Sequence, residues 1–390
     1  MKSYQVLFKV VLSICLLCAP LALGVTGAHA AEPIKVGAVL SITGWGGFIG
    51  SQQKDGMVAV VEDFNKRGGA NGRPIELLVE DDQSNPTSAV IATTKLVRDK
   101  KVSVLMGPSI TDSGMAMIPI AEQEQVPFAV SGPVISPLKK WVFHVTPSDI
   151  VNSAAVIEFA VKGLGGKRIA VIRDTANFGM TGMKVFRSEI GKYPGSSIII
   201  EEKFETTDSN VIPQLTKIKA ANPDVMIIQA PGGQASVVVK NFKQLGMKCL
   251  VTGPPAVATP EFMKIAGSLI EGSTDFVFLS GKIVVAEKLP MSDPWRKNLY
   301  EPFKRMMKEK FPNRPITVFS SVGHDAMQIV LKALVAANSD DRAAIRNALE
   351  TVKVDGQMGP YACSPTDHRG IVVFNGPGVI VKNGEYVPWK

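Results

Sequence analysis

From Ile34 onward, short apolar runs alternate with stretches of helical period at intervals of about 25 to 30 residues. That spacing constrains the chain strongly. A strand, a crossover helix and a second parallel strand fit it, and the helices then cover both faces of a parallel sheet. Strands are expected at Ile34 to Leu40, Ile75 to Glu80, Val102 to Met106 and Phe128 to Val130, with helices over residues 51–66 and from Pro86 to Lys100. After Pro147 the alternation restarts, with strands near 168–173, 198–204, 225–229 and 250–252 separated by further helices. Two sets of similar size predict two doubly wound α/β lobes. The tail holds a strand near 276–279, helices at 295–310, 320–337 and 341–351, and strands at 371–374 and 379–382. It is too small for a third such domain, so it is expected to cross back and complete both lobes. The expected division is 31–147 plus about 281–355 for lobe 1 and 148–280 plus about 356–390 for lobe 2.

The first residues read differently. Lys2 and Lys9 introduce an apolar run from Val10 to Leu23 that ends at Ala28-His29-Ala30. This is the pattern of a secretory signal cleaved after Ala30, which predicts an exported, periplasmic product. Cys15 and Cys18 lie inside it behind bulky residues, so a lipid anchor is not expected. Cleavage removes Lys2 and Lys9 but no acid, which lowers the formal charge of +8. The remaining basic residues are scattered singly, with no cluster suited to nucleic acid.

In a parallel α/β sheet, ligands bind beyond the carboxyl ends of the strands, so the loops there carry the function. Ser41 to Gly50, after the first strand, is rich in glycine and carries Trp45 and Phe48. The spacing Gly44, Gly46, Ile49 breaks the dinucleotide pattern. The two aromatics are either lids on a small ligand or packing between lobes, and the lid is the favoured reading. Gly107 to Gly114 offers Ser109, Thr111, Asp112 and Ser113 at the start of a helix, a combination suited to a carboxylate. Ser131 to Pro137 adds backbone donors. The matching loops of the second lobe are Asp174 to Gly179, Ala230 to Gly233 and Gly253 to Ala256. Catalysis has no foothold: His144, His324 and His368 lack partners at metal spacing, and no nucleophile motif or phosphate loop is present. No cofactor or metal is expected. Cys249 and Cys363 are expected as free, buried thiols.

Together, Ile34-Lys-Val-Gly-Ala-Val-Leu40, Asn65 to Gly69, Gly72-Arg-Pro-Ile75, Glu80 to Asp82, Gly107-Pro108, Pro119 to Glu122, Val126-Pro127 and Ser364 to Gly370 carry a resemblance across the whole mature chain. The chain resembles a periplasmic solute-binding protein of the branched-chain amino-acid type. That resemblance implies the type I periplasmic-binding fold, two lobes joined by three hinge crossings that close over a small ligand. It also implies a monomer that docks on an ABC-type membrane permease, and no enzyme activity. Carried over residue by residue, Thr111 matches the hydroxyl that holds the ligand carboxylate, Gly132 gives backbone contacts and Phe178 is the closing aromatic. Trp45 and Phe48 then line the side-chain pocket.

Three positions depart from the leucine-binding pattern. Val134 and Pro255 stand where a hydroxyl and a carboxylate hold the ligand's ammonium, and Pro231 replaces an aromatic. The expectation is a carboxylate ligand without the α-ammonium, such as an aromatic or branched organic acid. Ser148, Asp149 and the Ser280-Gly281 stretch are hinge candidates, and His324 is a candidate to approach the cleft. A ligand-sensing domain serving a separate receptor, and a dinucleotide-dependent oxidoreductase, stay open as alternatives.

Overall fold

The structure, a computed structural model, describes residues 32–132, 134, 139–374 and 376–389. The expected export signal, with Cys15, Cys18 and the cleavage site after Ala30, lies outside the described residues. Among the described residues, no helix is long and apolar enough to cross a membrane.

Five parallel strands form the first sheet: β1 (Ile34–Leu40), β2 (Ile75–Asp81), β3 (Val104–Gly107), β4 (Phe128–Val130) and β5 (Val142–His144). Their spatial order is β2-β1-β3-β4-β5, with β1 starting in the interior. Alternation along β1 shows why both faces are covered. Val36, Ala38 and Leu40 pack with Met57, Val60 and the helical residues Met327 to Leu334, whereas Val39 packs on the other face with Leu96, Met117 and Val126. The helices on these faces include α1 (Gly47–Lys66), α2 (Pro86–Thr94) and α3 (Thr111–Gln123).

The second sheet repeats the scheme. Helix α4 (Asp149–Glu158) leads into β6 (Arg168–Asp174), α5 (Asn177–Glu189), β7 (Ser197–Phe204), α6 (Ile212–Ala221), β8 (Val225–Gln229), α7 (Gly232–Gln244) and β9 (Leu250–Thr252). The strands lie in the order β7-β6-β8-β9, again all parallel. Ala170 and Ile172 face one core, Ile169 and Val171 the other.

Past β9 come α8 (Pro260–Ala266), β10 (Phe278–Leu279), α9 (Glu301–Lys310), α10 (Val318–Ala337), α11 (Arg342–Leu349), a hairpin of β11 (Lys353–Gly356) and β12 (Gly359–Ala362), and a final pair, β13 (Gly378–Lys382) and β14 (Glu385–Pro388). The sequence left β5, α8 and the hairpin unassigned, because three to seven residues carry too little periodicity to be read. It also gave a strand at 371–374; that stretch is extended but unpaired, with Val372 and Val373 each 56% exposed. The tail does cross back, at different residues from those expected. Tyr361 and Ile371 are buried in the core of the first sheet, while Val379, Val381 and Tyr386 pack in the core of the second. The last passage between the two cores therefore follows Ile371 rather than preceding 356.

Helices α1 and α10 cross so closely that glycine is required at the contact. A Cβ on Gly56 would lie 2.0 Å from the Ser320 carbonyl oxygen, and one on Gly323 would lie 2.0 Å from that of Gln53. Gly323→Ala is expected to destabilise by about 1–3 kcal/mol through forced separation of the helices. Gly191→Ala, where nothing lies within 4 Å, is the control and is expected to stay within about 0.5 kcal/mol. Thermal denaturation of the two variants checks the contrast.

Candidate ligand cleft

The carboxyl ends of both sheets open onto one cavity of about 110 Å³. From the first sheet come Trp45 and Ile49 after β1, Ser109 to Asp112 after β3, Ser131 and Gly132 after β4, and Thr146, Pro147 and Asp149 after β5. From the second come Ala176 and Phe178 after β6, Pro231 after β8 and Pro254 to Ala256 after β9. Val318, Phe319 and Val322 of α10, with Met358 of the hairpin turn, complete an apolar wall. Of the residues singled out in the sequence, Trp45, Thr111, Gly132, Phe178, Pro231 and Pro255 are brought together here. Trp45 is 42% exposed and sits at the mouth.

Phe48 and Val134 are not among the lining residues. Phe48 turns away to pack edge-on against Phe319, with ring centroids 5.8 Å apart, and Ile49 takes the lining position. Val134 is fully buried in the core on the far side of the sheet, against Gly114. The structure therefore corrects the reading of Val134 as a pocket position lacking a hydroxyl. His324 does not reach the cleft either: its Nδ1 lies 2.9 Å from Asp325 Oδ1 and its ring packs on Phe303. Cys249 and Cys363 are free and belong to different cores, and burial pushes each thiol up to about 12.

The acids after β2 hold the glycine loop. Asp81 accepts from the Ile42 and Thr43 amides and the Thr43 hydroxyl, and Asp82 accepts from the Ser41 hydroxyl at 2.7 Å. Gly44 sits at φ 79°, where a Cβ would meet the Gln83 carbonyl at 2.4 Å, so its glycine serves the turn. Ser109 is also consumed internally. Its hydroxyl donates to Gln53 Oε1 at 2.6 Å and accepts from the Ser41 amide, while Gln53 Nε2 donates to the Ser131 carbonyl at 3.0 Å. Gln53, buried on α1 and one turn from Ile49, was missed because a glutamine in a helical pattern carries no signal of its own.

Two helix starts on the cleft, at Ile110 and Pro231, have no side-chain cap among the described residues; at the second, the Gly232 N–H donates to the Ala256 carbonyl at 2.9 Å. The start of α5 is occupied: Asp174 Oδ1 accepts from the Ala176 and Gly179 amides, both at 3.0 Å.

Asp149 is the residue that sequence reasoning took only for a hinge. It is fully buried on the cleft wall, its Oδ2 accepts from the Thr111 hydroxyl at 3.3 Å, and its Oδ1 has no partner among the described residues. Burial pushes its carboxyl up to about 8, with the Asp174 charge acting in the same direction and the Thr111 bond opposing. Among the described residues, no lysine, arginine or histidine lines the cleft. A carboxyl group thus lines the pocket at Asp149, while Pro255 lines it without one.

A pocket shared between two α/β lobes, with helix starts at one end, a buried acid beside them and an apolar wall, defines a bilobal small-molecule binding protein. A family model described as "Periplasmic binding protein" matches residues 33–375, and the chain belongs to that family. Its members are substrate-binding proteins and not enzymes. The chain is 24% identical over 324 residues to a leucine-, isoleucine-, valine-, threonine- and alanine-binding protein of Pseudomonas aeruginosa, covering 82% of this chain and 83% of that one. Among solved structures, an extracellular ligand-binding receptor from Rhodopseudomonas palustris HaA2 superposes with a TM-score of 0.82 at 27% identity, over 91% of this chain and 99% of the other. A leucine binding protein from Thermotoga maritima gives a TM-score of 0.78 at 25% identity, over 91% and 97%.

The position of Asp149 has a thermodynamic consequence. Its folded-state value lies above the unfolded one, so the folded protein binds the extra proton and stability falls as pH rises from about 4 towards about 8. Asp149→Asn is therefore expected to gain stability over the parent at alkaline pH, by more than about 1 kcal/mol, and to match it closely near pH 4. Chemical denaturation across the pH range checks this.

Proposed function

We propose that the protein is the exported, ligand-capturing component of an ABC-type importer, and that it binds a small apolar amino acid between its lobes. The observation that carries this reading is Asp149: a buried carboxyl with one oxygen unpartnered, on the wall of a cleft without basic side chains. A ligand ammonium supplies the missing counter-charge there. The ligand carboxylate goes to the start of α3, where the Asp112 and Ser113 N–H groups and the helix dipole favour an anion, while the Thr111 hydroxyl holds Asp149 in place. Trp45, Ile49, Phe178, Phe319, Pro231 and Pro255 enclose the side chain, and Gly132 admits close backbone approach.

In this reading residues up to 147, with about 281–371, form lobe 1, and 148–280 with the final strand pair form lobe 2. The crossings lie near Pro147, Gly281 and Phe374, where rotation opens and shuts the cleft. Cleavage after Ala30 would release a periplasmic monomer that presents its loaded form to the permease. The binding of branched-chain amino acids by the Pseudomonas aeruginosa relative supports the ligand class, which replaces the expected non-amino organic acid.

Isothermal titration of the mature protein with leucine and with its des-amino counterpart, 4-methylpentanoate, tests the assignment. With 4-methylpentanoate Asp149 stays protonated and gains no partner, whereas a charge-assisted bond to the ammonium is worth about 1.5–3 kcal/mol, so leucine is expected to bind at least ~10-fold more tightly. Thr111→Val is expected to weaken leucine about 10-fold. Equal or tighter binding of 4-methylpentanoate contradicts the role given to Asp149.

A further inference from the structure

A second cavity, of about 390 Å³, shares the Met358 wall with the cleft. It lies beside two of the passages between the cores: Gly281 lines it from one, and Phe374 and Gly376 line it from the other. Those two passages are tied together there, the Ser280 amide donating to the Pro377 carbonyl at 3.0 Å.

The inner wall is apolar and aromatic. Trp295, Leu299 and Phe374 are half-buried, and Tyr300 stacks on Trp295 with ring centroids 6.0 Å apart, which fixes the indole. The rim carries one charge of each sign. Lys282 and Asp355 are exposed, and among the described residues neither makes a salt bridge or a side-chain hydrogen bond. The Lys282 ammonium stands 6.0 Å from the Trp295 ring centroid. Neighbouring charges are spent on one another: Arg296 pairs with Glu287 and Glu301, Lys304 with Glu287, and Asp325 accepts from the Met358 amide. Gln357, in the β11–β12 turn, lines the same cavity at 5% exposure. Its Nε2 donates to the Leu299 carbonyl at 2.7 Å, and its Oε1 has no partner among the described residues.

We propose that this cavity is a second ligand site, which takes a free aromatic amino acid with its carboxylate at Lys282, its ammonium at Asp355 and Gln357, and its ring against Trp295 and Phe374.

Each part of that ligand answers a group left over in the cavity. Lys282 favours an anion, whereas Asp355 and the Gln357 Oε1 favour a cationic donor. A ligand with both charges satisfies all three groups, and a plain acid or a plain amine satisfies one side only. The two half-buried aromatics favour a ring, because edge and offset contacts add to the gain from the apolar area covered. A ligand seated here lies against two passages between the cores as well as against Met358, the residue shared with the cleft.

Isothermal titration of the mature protein with L-phenylalanine tests the site. Binding with a Kd below ~1 mM is expected, weakened about 10-fold in Lys282→Ala and in Asp355→Asn. Both positions are exposed and unpaired, so the variants are expected to fold, and circular dichroism checks that they do. N-acetyl-L-phenylalanine, which lacks the ammonium, and L-phenylalaninamide, which lacks the carboxylate, are expected to lose affinity to a similar degree. Absence of phenylalanine binding up to about 10 mM overturns the proposal. So does binding that both substitutions leave unchanged, which puts phenylalanine elsewhere on the protein. Lys282 and Asp355 do not line the cleft, so the result stands whether or not leucine binds there.

Discussion

Parallel strands bring every strand-to-helix loop to the same edge of a sheet, and the rest of this structure follows from facing two such edges across one gap. Neither sheet encloses a ligand alone. The first contributes an uncapped helix start and the Thr111 hydroxyl, and the second contributes Asp149, Phe178, Pro231 and Pro255. In the proposed function, a ligand that touches both loop sets binds a shut form better than an open one, and that difference drives closure. The tail matters for the same reason. By threading from one core to the other after Leu279 and again after Ile371, it links the sheets without fixing the gap between them.

Charge decides what fills the gap. Apolar walls and helix starts would suit many small acids, but a buried carboxyl with an unpartnered oxygen does not suit a plain anion. The same group that makes the cleft unfavourable to ionise makes it favourable to a cation, and the two statements share one cause, desolvation. The geometry of α1 supports this chemistry from behind. Its close crossing with α10 fixes Gln53, which holds Ser109 and the Ser131 carbonyl in place, so the walls are set before a ligand enters.

Much of the fold was legible in the sequence because the signals were long. The apolar run at β1, the glycine-rich turn after α1 and Pro86 at the start of α2 each mark an element boundary by its physical cause. Short elements such as β5 and the β11–β12 hairpin were not legible, since three or four residues have no period to measure. The cleft was legible in part. The loops that carry Thr111, Gly132, Phe178, Pro231 and Pro255 follow from the rule that ligands lie beyond strand ends, the family resemblance picks out these residues within them, and all line the cavity. Phe48 and Val134 did not follow: one residue along a helix turns a side chain away by about 100°, and an irregular loop gives no rule for direction. Asp149 was read as a hinge candidate because, with Ser148, it lies near the first crossing between the expected lobes. Only the packing shows that its carboxyl is buried against the cleft with no cation beside it.

The central claim is that a ligand ammonium takes the place of a proton on Asp149. Calorimetric titration with leucine near pH 7, repeated in buffers of different ionisation enthalpy, counts the protons exchanged on binding. The account predicts release approaching one proton per leucine, because Asp149 is largely protonated beforehand and ionises on pairing. Binding with no proton exchange, or with proton uptake, would contradict it.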